Sequence, residues 1–258
     1  MAERGAAAIT RAIRAASGPA LCAYVTAGYP SLQAFPEVLR SVAAEADVVE
    51  VGVPFTDPMA DGLTIQESSR VALEAGVTLR WILDLLEAER PGLPAPLILM
   101  GYCNPFLAHG LDRLGASLAR SGVSGLIVPD LPLEESGLFL EVLDPFGIAL
   151  VHLVAPTTPP ARVARLASAS TGFLYAVTTT GVTGGVAGRA DLEHVARVRN
   201  ASSIPVLAGF GIRTREQVAA VASLVDGVIV GSALIEAIGR GEDAGEFLAG
   251  LRVTGVRA

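Results

Sequence analysis

Apolar positions along the 258-residue chain fall into short, almost wholly hydrophobic runs separated by longer stretches with helical spacing. The short runs, rich in Val, Ile and Leu, read as strands at 21–26, 48–53, 96–100, 125–128, 148–154, 173–177, 205–208 and 227–230. Helical spacing fills the intervals: 31–46, 65–75, 78–90, 111–120, 134–143, 159–169, 191–199, 214–223, from 233, and 242–251. Ser31, Thr78 and Thr214 stand where N-caps belong, and Pro159-Pro160 suits the first turn of a helix. Strands apolar on both faces indicate a parallel sheet covered on both sides. Eight such strands alternating with helices over the whole chain predict one (β/α)8 TIM barrel spanning 1–258. Extra helices at the N-terminus, in the second loop and at the C-terminus decorate it. A doubly wound open sheet is the alternative; it needs a reversal of strand order.

Composition narrows the chemistry. Hydrophobic residues make up 51% of the chain, ample for one large core. The net charge of −7 and the absence of a basic run argue against nucleic acid as a partner. All 19 basic residues are arginine. Without lysine, no Schiff base can form with pyridoxal phosphate or a sugar ketone, so carbon–carbon cleavage must use acid–base or metal chemistry. His109, His152 and His194 lie far apart, without metal-ligand spacing, and no metal is expected. Cys22 and Cys103 read as buried free thiols of a reducing cytosol. No apolar run reaches membrane-spanning length, and a cytoplasmic protein is expected. Residues 1–17 read as a short amphipathic helix in preference to a transit peptide.

In a barrel of this class the active site lies at the C-terminal ends of the strands. The second strand holds the most distinctive feature. Glu50 shares a strand face with Val48 and Gly52, while Val49, Val51 and Val53 take the other. A carboxylate there is costly to bury unless it is paired or used. Asp57 and Asp61 follow on a Pro/Gly-rich loop. Acid–base catalysis is one reading of these carboxylates; an internal hydrogen bond for Glu50 and turn or cap bonds for the aspartates are the other. Asp130, in Pro-Asp-Leu-Pro, is ambiguous in the same way.

The last two strands exit into Gly209-Phe210-Gly211-Ile212 and Gly231-Ser232-Ala233, and the sixth loop carries Gly181-Val182-Thr183-Gly184-Gly185. Any one glycine cluster fits a tight turn. Together they suit a phosphate held by backbone N–H groups and a helix N-terminus. The long Gly/Thr-rich sixth loop reads as a lid. Tyr24, Tyr102 and Tyr175, near strand exits, either pack the rim or line a pocket for a flat aromatic substrate.

The stretch from Glu50 to Gln66, EVGVPFTDPMADGLTIQ, resembles the signature of the tryptophan synthase α chain family. Met100-Gly-Tyr-Cys-Asn-Pro105, Pro129-Asp-Leu-Pro-Leu-Glu-Glu135, Gly181-Val-Thr-Gly184 and Gly209-Phe-Gly-Ile212 follow in the expected order, so the resemblance spans essentially the whole chain. It implies a lyase that cleaves indole-3-glycerol phosphate to indole and glyceraldehyde 3-phosphate. Glu50 would move protons at indole C3 and at the glycerol hydroxyl, Asp61 would take the indole N–H proton, and Tyr175 would stand close to Glu50 and the substrate. Tyr24, Tyr102 and Phe210 would border the indole. Gly184, Gly211, Gly231 and Ser232 would hold the phosphate, and Thr183 would meet Asp61 as the lid closes.

The resemblance also implies an α2β2 heterotetramer. Its β chain would carry the pyridoxal phosphate and receive indole through a tunnel, while this chain would need no cofactor. Residues 54–57 and Asn104-Pro105 would face that partner. A stand-alone lyase releasing free indole and an idle α-like chain that only activates a β partner are the alternatives. Tyr29, Leu63 and the run Thr178-Thr179-Thr180 depart from common family residues, and these departures bear on the lid and the partner rather than on Glu50 or Asp61.

Overall fold

A computed structural model describes residues 5–178, 189–209 and 211–255. Its nine strand segments form one all-parallel sheet: β1 Ala20–Thr26, β2 Val48–Gly52, β3 Leu97–Met100, β4 Val123–Ile127, β5 Ala149–Val151, β6 Leu153–Val154, β7 Leu174–Val177, β8 Val206–Gly209 and β9 Gly227–Val230. The lateral order is β5-β4-β3-β2-β1-β9-β8-β7-β6. Its two ends, β5 and β6, are consecutive in the chain and separated only by His152. They are halves of the fifth predicted strand, one paired with β4 and the other with β7, so the chain itself closes the barrel. At the break, the His152 N–H donates to Ser170 Oγ at 3.0 Å and the His152 carbonyl accepts the Tyr175 N–H at 3.1 Å. A polar side chain thus takes the donor that the ladder leaves unpaired. The result is the expected TIM barrel; the order has no reversal of the doubly wound kind.

Period-two alternation sorts the side chains into two cores. Leu21, Ala23, Val25, Val49 and Val51 point outward and pack under the helices. Ala20, Cys22, Val48, Ile98, Val151, Phe173 and Ile229 point inward. The helix Ala6–Ala15 is more than a decoration. Its Ile9 and Ile13 join the inner core beside Ala20, Val48 and Phe173, at the N-terminal ends of the strands, and stopper the barrel there. Burying each such isoleucine contributes about 1.5–3 kcal/mol. With one end of the barrel filled by apolar side chains, space for a ligand is left at the other.

Several helix starts follow the sequence signals. Thr78 Oγ1 accepts the Trp81 N–H at 3.2 Å, and Thr214 and Gln217 form a reciprocal capping box. Ser31 closes a turn by accepting the Ala34 N–H at 3.2 Å, and its helix begins later, at Phe35, with Pro36 in the first turn. The helix Cys103–His109 is an addition to the elements that the hydrophobic pattern predicts. Proline is compatible with a first turn, and Asp130 Oδ1 accepts the Cys103 N–H at 2.9 Å to start the helix. The ambiguous Asp130 therefore has a structural partner. Among the described residues, no helix is long and apolar enough to cross a membrane.

Candidate active site

The open, C-terminal end of the barrel holds a cavity of about 460 Å³. Glu50, near the end of β2, reaches it from a residue that is only 1% exposed. Its strand neighbours explain its surroundings. Tyr24 on β1 lies opposite Glu50 in the β1–β2 register, and Cys22, two residues earlier on the same inward face, sets its Sγ 3.9 Å from Glu50 Oε2. Gly52 is required by this packing, since a Cβ there would lie 2.0 Å from the Tyr24 hydroxyl oxygen. Tyr175 on β7 completes the wall, with its ring 6.5 Å from that of Phe173 beneath.

Asp61 enters from the loop after β2 and lines the same cavity. Tyr102 supports that loop. Its hydroxyl accepts the Ala60 N–H at 2.9 Å and donates to the Asp61 carboxylate, while its ring stacks on Phe55 at 5.2 Å. Tyr102, itself buried, thus anchors the loop that carries Asp61. Asp57 takes no part in this. It is exposed and accepts the Thr56 hydroxyl at 2.6 Å.

The two cavity carboxyls are electrostatically distinct. Burial, reinforced by the nearby Asp61 charge and opposed by the Cys22 hydrogen bond, pushes Glu50 up to about 8. Burial also raises Asp61, to about 6, against the hydrogen bond from Tyr102. Near neutrality the pair holds one proton, mostly on Glu50. Carboxyls whose environments separate their titrations in this way can serve as acid and base in one site. Tyr24 and Tyr175 are pushed above the ordinary phenol range by burial, and remain neutral.

Across β1 from Glu50, the cavity is lined by Gly209, Gly211, Gly231 and Ser232. The helix Ser232–Gly239 starts here with no side chain capping its first-turn N–H groups. The neighbouring helix Arg215–Val221 is closed by its own capping box. An uncapped start aimed at a cavity suits an anion. Arg213, Glu236 and Thr64 line the cavity as well, and the sequence reading singled out none of them. A signal existed for two: Glu236 lies one helical turn after Ser232, and Arg213 directly follows Gly211-Ile212. Thr183, Gly184 and Phe210, with most of the expected lid, lie outside the described residues. No group of three or more His, Cys, Asp or Glu suited to a metal occurs among the described residues.

Fold and site together define a (β/α)8-barrel protein with a split carboxyl pair in its C-terminal mouth, facing an anion-ready helix start. The sequence model of the tryptophan synthase alpha chain family matches residues 11–252. The chain is 44% identical to the tryptophan synthase alpha chain of Geobacter sulfurreducens over 92% of its own length and 93% of the relative's. It is 45% identical to that of a Caulobacter species over 88% of its length and 84% of the relative's. Among solved structures, a Mycobacterium tuberculosis tryptophan synthase chain superposes with a TM-score of 0.87 at 37% identity, covering 97% of this chain and 100% of that one. A mutant tryptophan synthase α-subunit from Pyrococcus furiosus superposes with a TM-score of 0.84 at 36% identity, covering 91% and 98%. The chain belongs to the tryptophan synthase alpha chain family.

Proposed function

We propose that this chain is a carbon–carbon lyase that cleaves indole-3-glycerol phosphate to indole and glyceraldehyde 3-phosphate. The observation that carries the reading is that the Glu50 and Asp61 carboxyls face a single cavity, where burial raises Glu50 further than Asp61. Protonated Glu50 delivers its proton to indole C3 while ionised Asp61 takes the proton from the indole nitrogen. The ring is then an electron acceptor. Glu50, now a carboxylate, removes the proton of the glycerol hydroxyl. The carbon–carbon bond breaks, its electron pair returns to the ring, and Asp61 restores the N–H. Protons and electrons balance, and each carboxyl ends as it began.

Tyr24 and Tyr175 offer flat apolar surface for the indole. Gly211, Gly231, Ser232 and the helix start are the seat for the phosphate. Thr183, Gly184 and Phe210 retain the roles that the family resemblance implies. The reaction calls on no cofactor in this chain. Pyridoxal phosphate belongs to the β chain that we propose as its partner in an α2β2 assembly. Met59 and Leu63, 90% and 83% exposed, support a protein-facing role for the second loop.

The test is a steady-state indole assay of wild type and Glu50→Gln, with and without a β chain. Wild type should form indole, faster with the β chain, and Glu50→Gln should form none while still binding inorganic phosphate. Substantial turnover by Glu50→Gln removes the assignment of Glu50. Full activity alone, without gain from the β chain, points to a stand-alone lyase; inactivity in both conditions points to a purely activating chain.

A further inference from the structure

Arg213 is the one arginine on the cavity wall among the described residues, next to Gly211, Gly231 and Ser232. The acid–base steps do not use it. Its backbone is tightly fixed: the Arg213 N–H donates to Gln217 Oε1 at 2.7 Å, and the same oxygen takes the Thr214 N–H at 3.1 Å. Its guanidinium grips Glu236 with both terminal nitrogens, Nη1 to Oε2 at 2.6 Å and Nη2 to Oε1 at 2.9 Å. Thr64 Oγ1 also donates to Glu236 Oε1, at 3.3 Å. The three side chains come from the loop after β8, the second turn of the helix Ser232–Gly239 and the start of the helix Leu63–Glu74. All three line the cavity.

The Arg213 and Glu236 side chains are 43% and 31% exposed. An ion pair this open contributes at most about 1 kcal/mol to stability. Its effect on the electrostatic potential of the cavity is a separate matter. A guanidinium has five N–H donors, and Glu236 engages two, so the fork can bind an anion without leaving Glu236. Glu236 has two opposed effects: it orients the arginine and offsets its charge. We propose that Arg213 determines specificity for the phosphate end of the substrate, and that Glu236 and Thr64 hold it in place and set its strength. This rests on the phosphate seat in the proposed function.

The experiment measures inorganic phosphate binding by calorimetry and KM for indole-3-glycerol phosphate, with melting temperature as a check on folding. Arg213→Gln should weaken phosphate binding and raise KM by roughly three- to tenfold, with kcat changed by less than about twofold. Glu236→Gln should act in the opposite direction, tightening phosphate binding, because the arginine's charge is no longer offset. Opposite signs from the two halves of one ion pair are not what a structural strut produces. If Arg213→Gln leaves phosphate binding unchanged, the role of Arg213 is overturned; weakening by both substitutions overturns the charge-offset role of Glu236. Ser232→Asp separates this from the reading beneath it. If that variant binds phosphate as wild type does, the anion sits elsewhere and both assignments fall. If it loses binding while Arg213→Gln keeps it, only the assignment of Arg213 falls.

Discussion

Cys22 and Glu50 meet inside the barrel, thiol against carboxyl, with Sγ 3.9 Å from Oε2. A hydrogen bond to a carboxylate favours its ionised form, and this one opposes the burial that raises Glu50. Cys22→Val removes the donor at similar volume. The alkaline limb of the kcat/KM profile for indole formation should move up by roughly half a pH unit or more. Cys22→Ser keeps a donor and should leave the limb near its wild-type position. An unmoved limb in Cys22→Val would show that the thiol only fills space.

The wild-type profile itself should be bell-shaped. The mechanism needs ionised Asp61 and protonated Glu50, with values of about 6 and about 8, so the rate should rise through the first and fall through the second. The two limbs belong to the coupled pair rather than to either residue alone. A profile that keeps rising beyond the upper limb would contradict a protonated Glu50 as the starting acid.

Stability should depend on the same proton. The folded chain holds Glu50 protonated up to about 8, whereas its ordinary value is 4.5. This contribution is full below the unfolded value and is lost as pH rises through the folded one. Glu50→Gln carries no charge to bury. Relative to wild type it should be little changed near about pH 5 and more stable by on the order of a few kcal/mol near about pH 8. Urea denaturation at the two pH values checks the sign, and a gain confined to the acid side would refute the account.

Tyr102→Phe tests the support behind Asp61. Loss of the phenol removes a donor to the carboxylate and leaves the Ala60 N–H without its partner. The acid limb of the profile should move up, and stability should fall by about 1 kcal/mol. If Tyr102 instead contacts the indole directly, the variant will change KM with the limb unmoved.

Gly52→Ala would bring a methyl group to 2.0 Å from the Tyr24 hydroxyl oxygen. A cost of about 1–3 kcal/mol and a displaced Tyr24 are expected. Tyr24→Ala in the same chain should recover much of the stability, though not the activity. Denaturant midpoints of the single and double variants decide it.

Much of this protein is local in origin. Apolar runs specified parallel strands, period-two alternation placed Glu50 on one face with Val48, and Thr78 and Thr214 marked helix starts, because face and capping depend on residues a few positions apart. The strand exits were legible for the same reason, and the cavity is lined by Glu50, Asp61, Gly211 and Ser232 as their motifs suggested. Tertiary structure decided what lies far apart in the chain. Closure through His152 is a property of the whole sheet, and so is the placement of Ser232 across β1 from Glu50. Cys22 gained a role only when β1 paired with β2 in one register. The Tyr102 hydroxyl met the Ala60 N–H, and Arg213 met Glu236 and Thr64 across three separate elements. Pairings of that kind are set by strand order and register, which a short-range hydrophobic pattern does not encode.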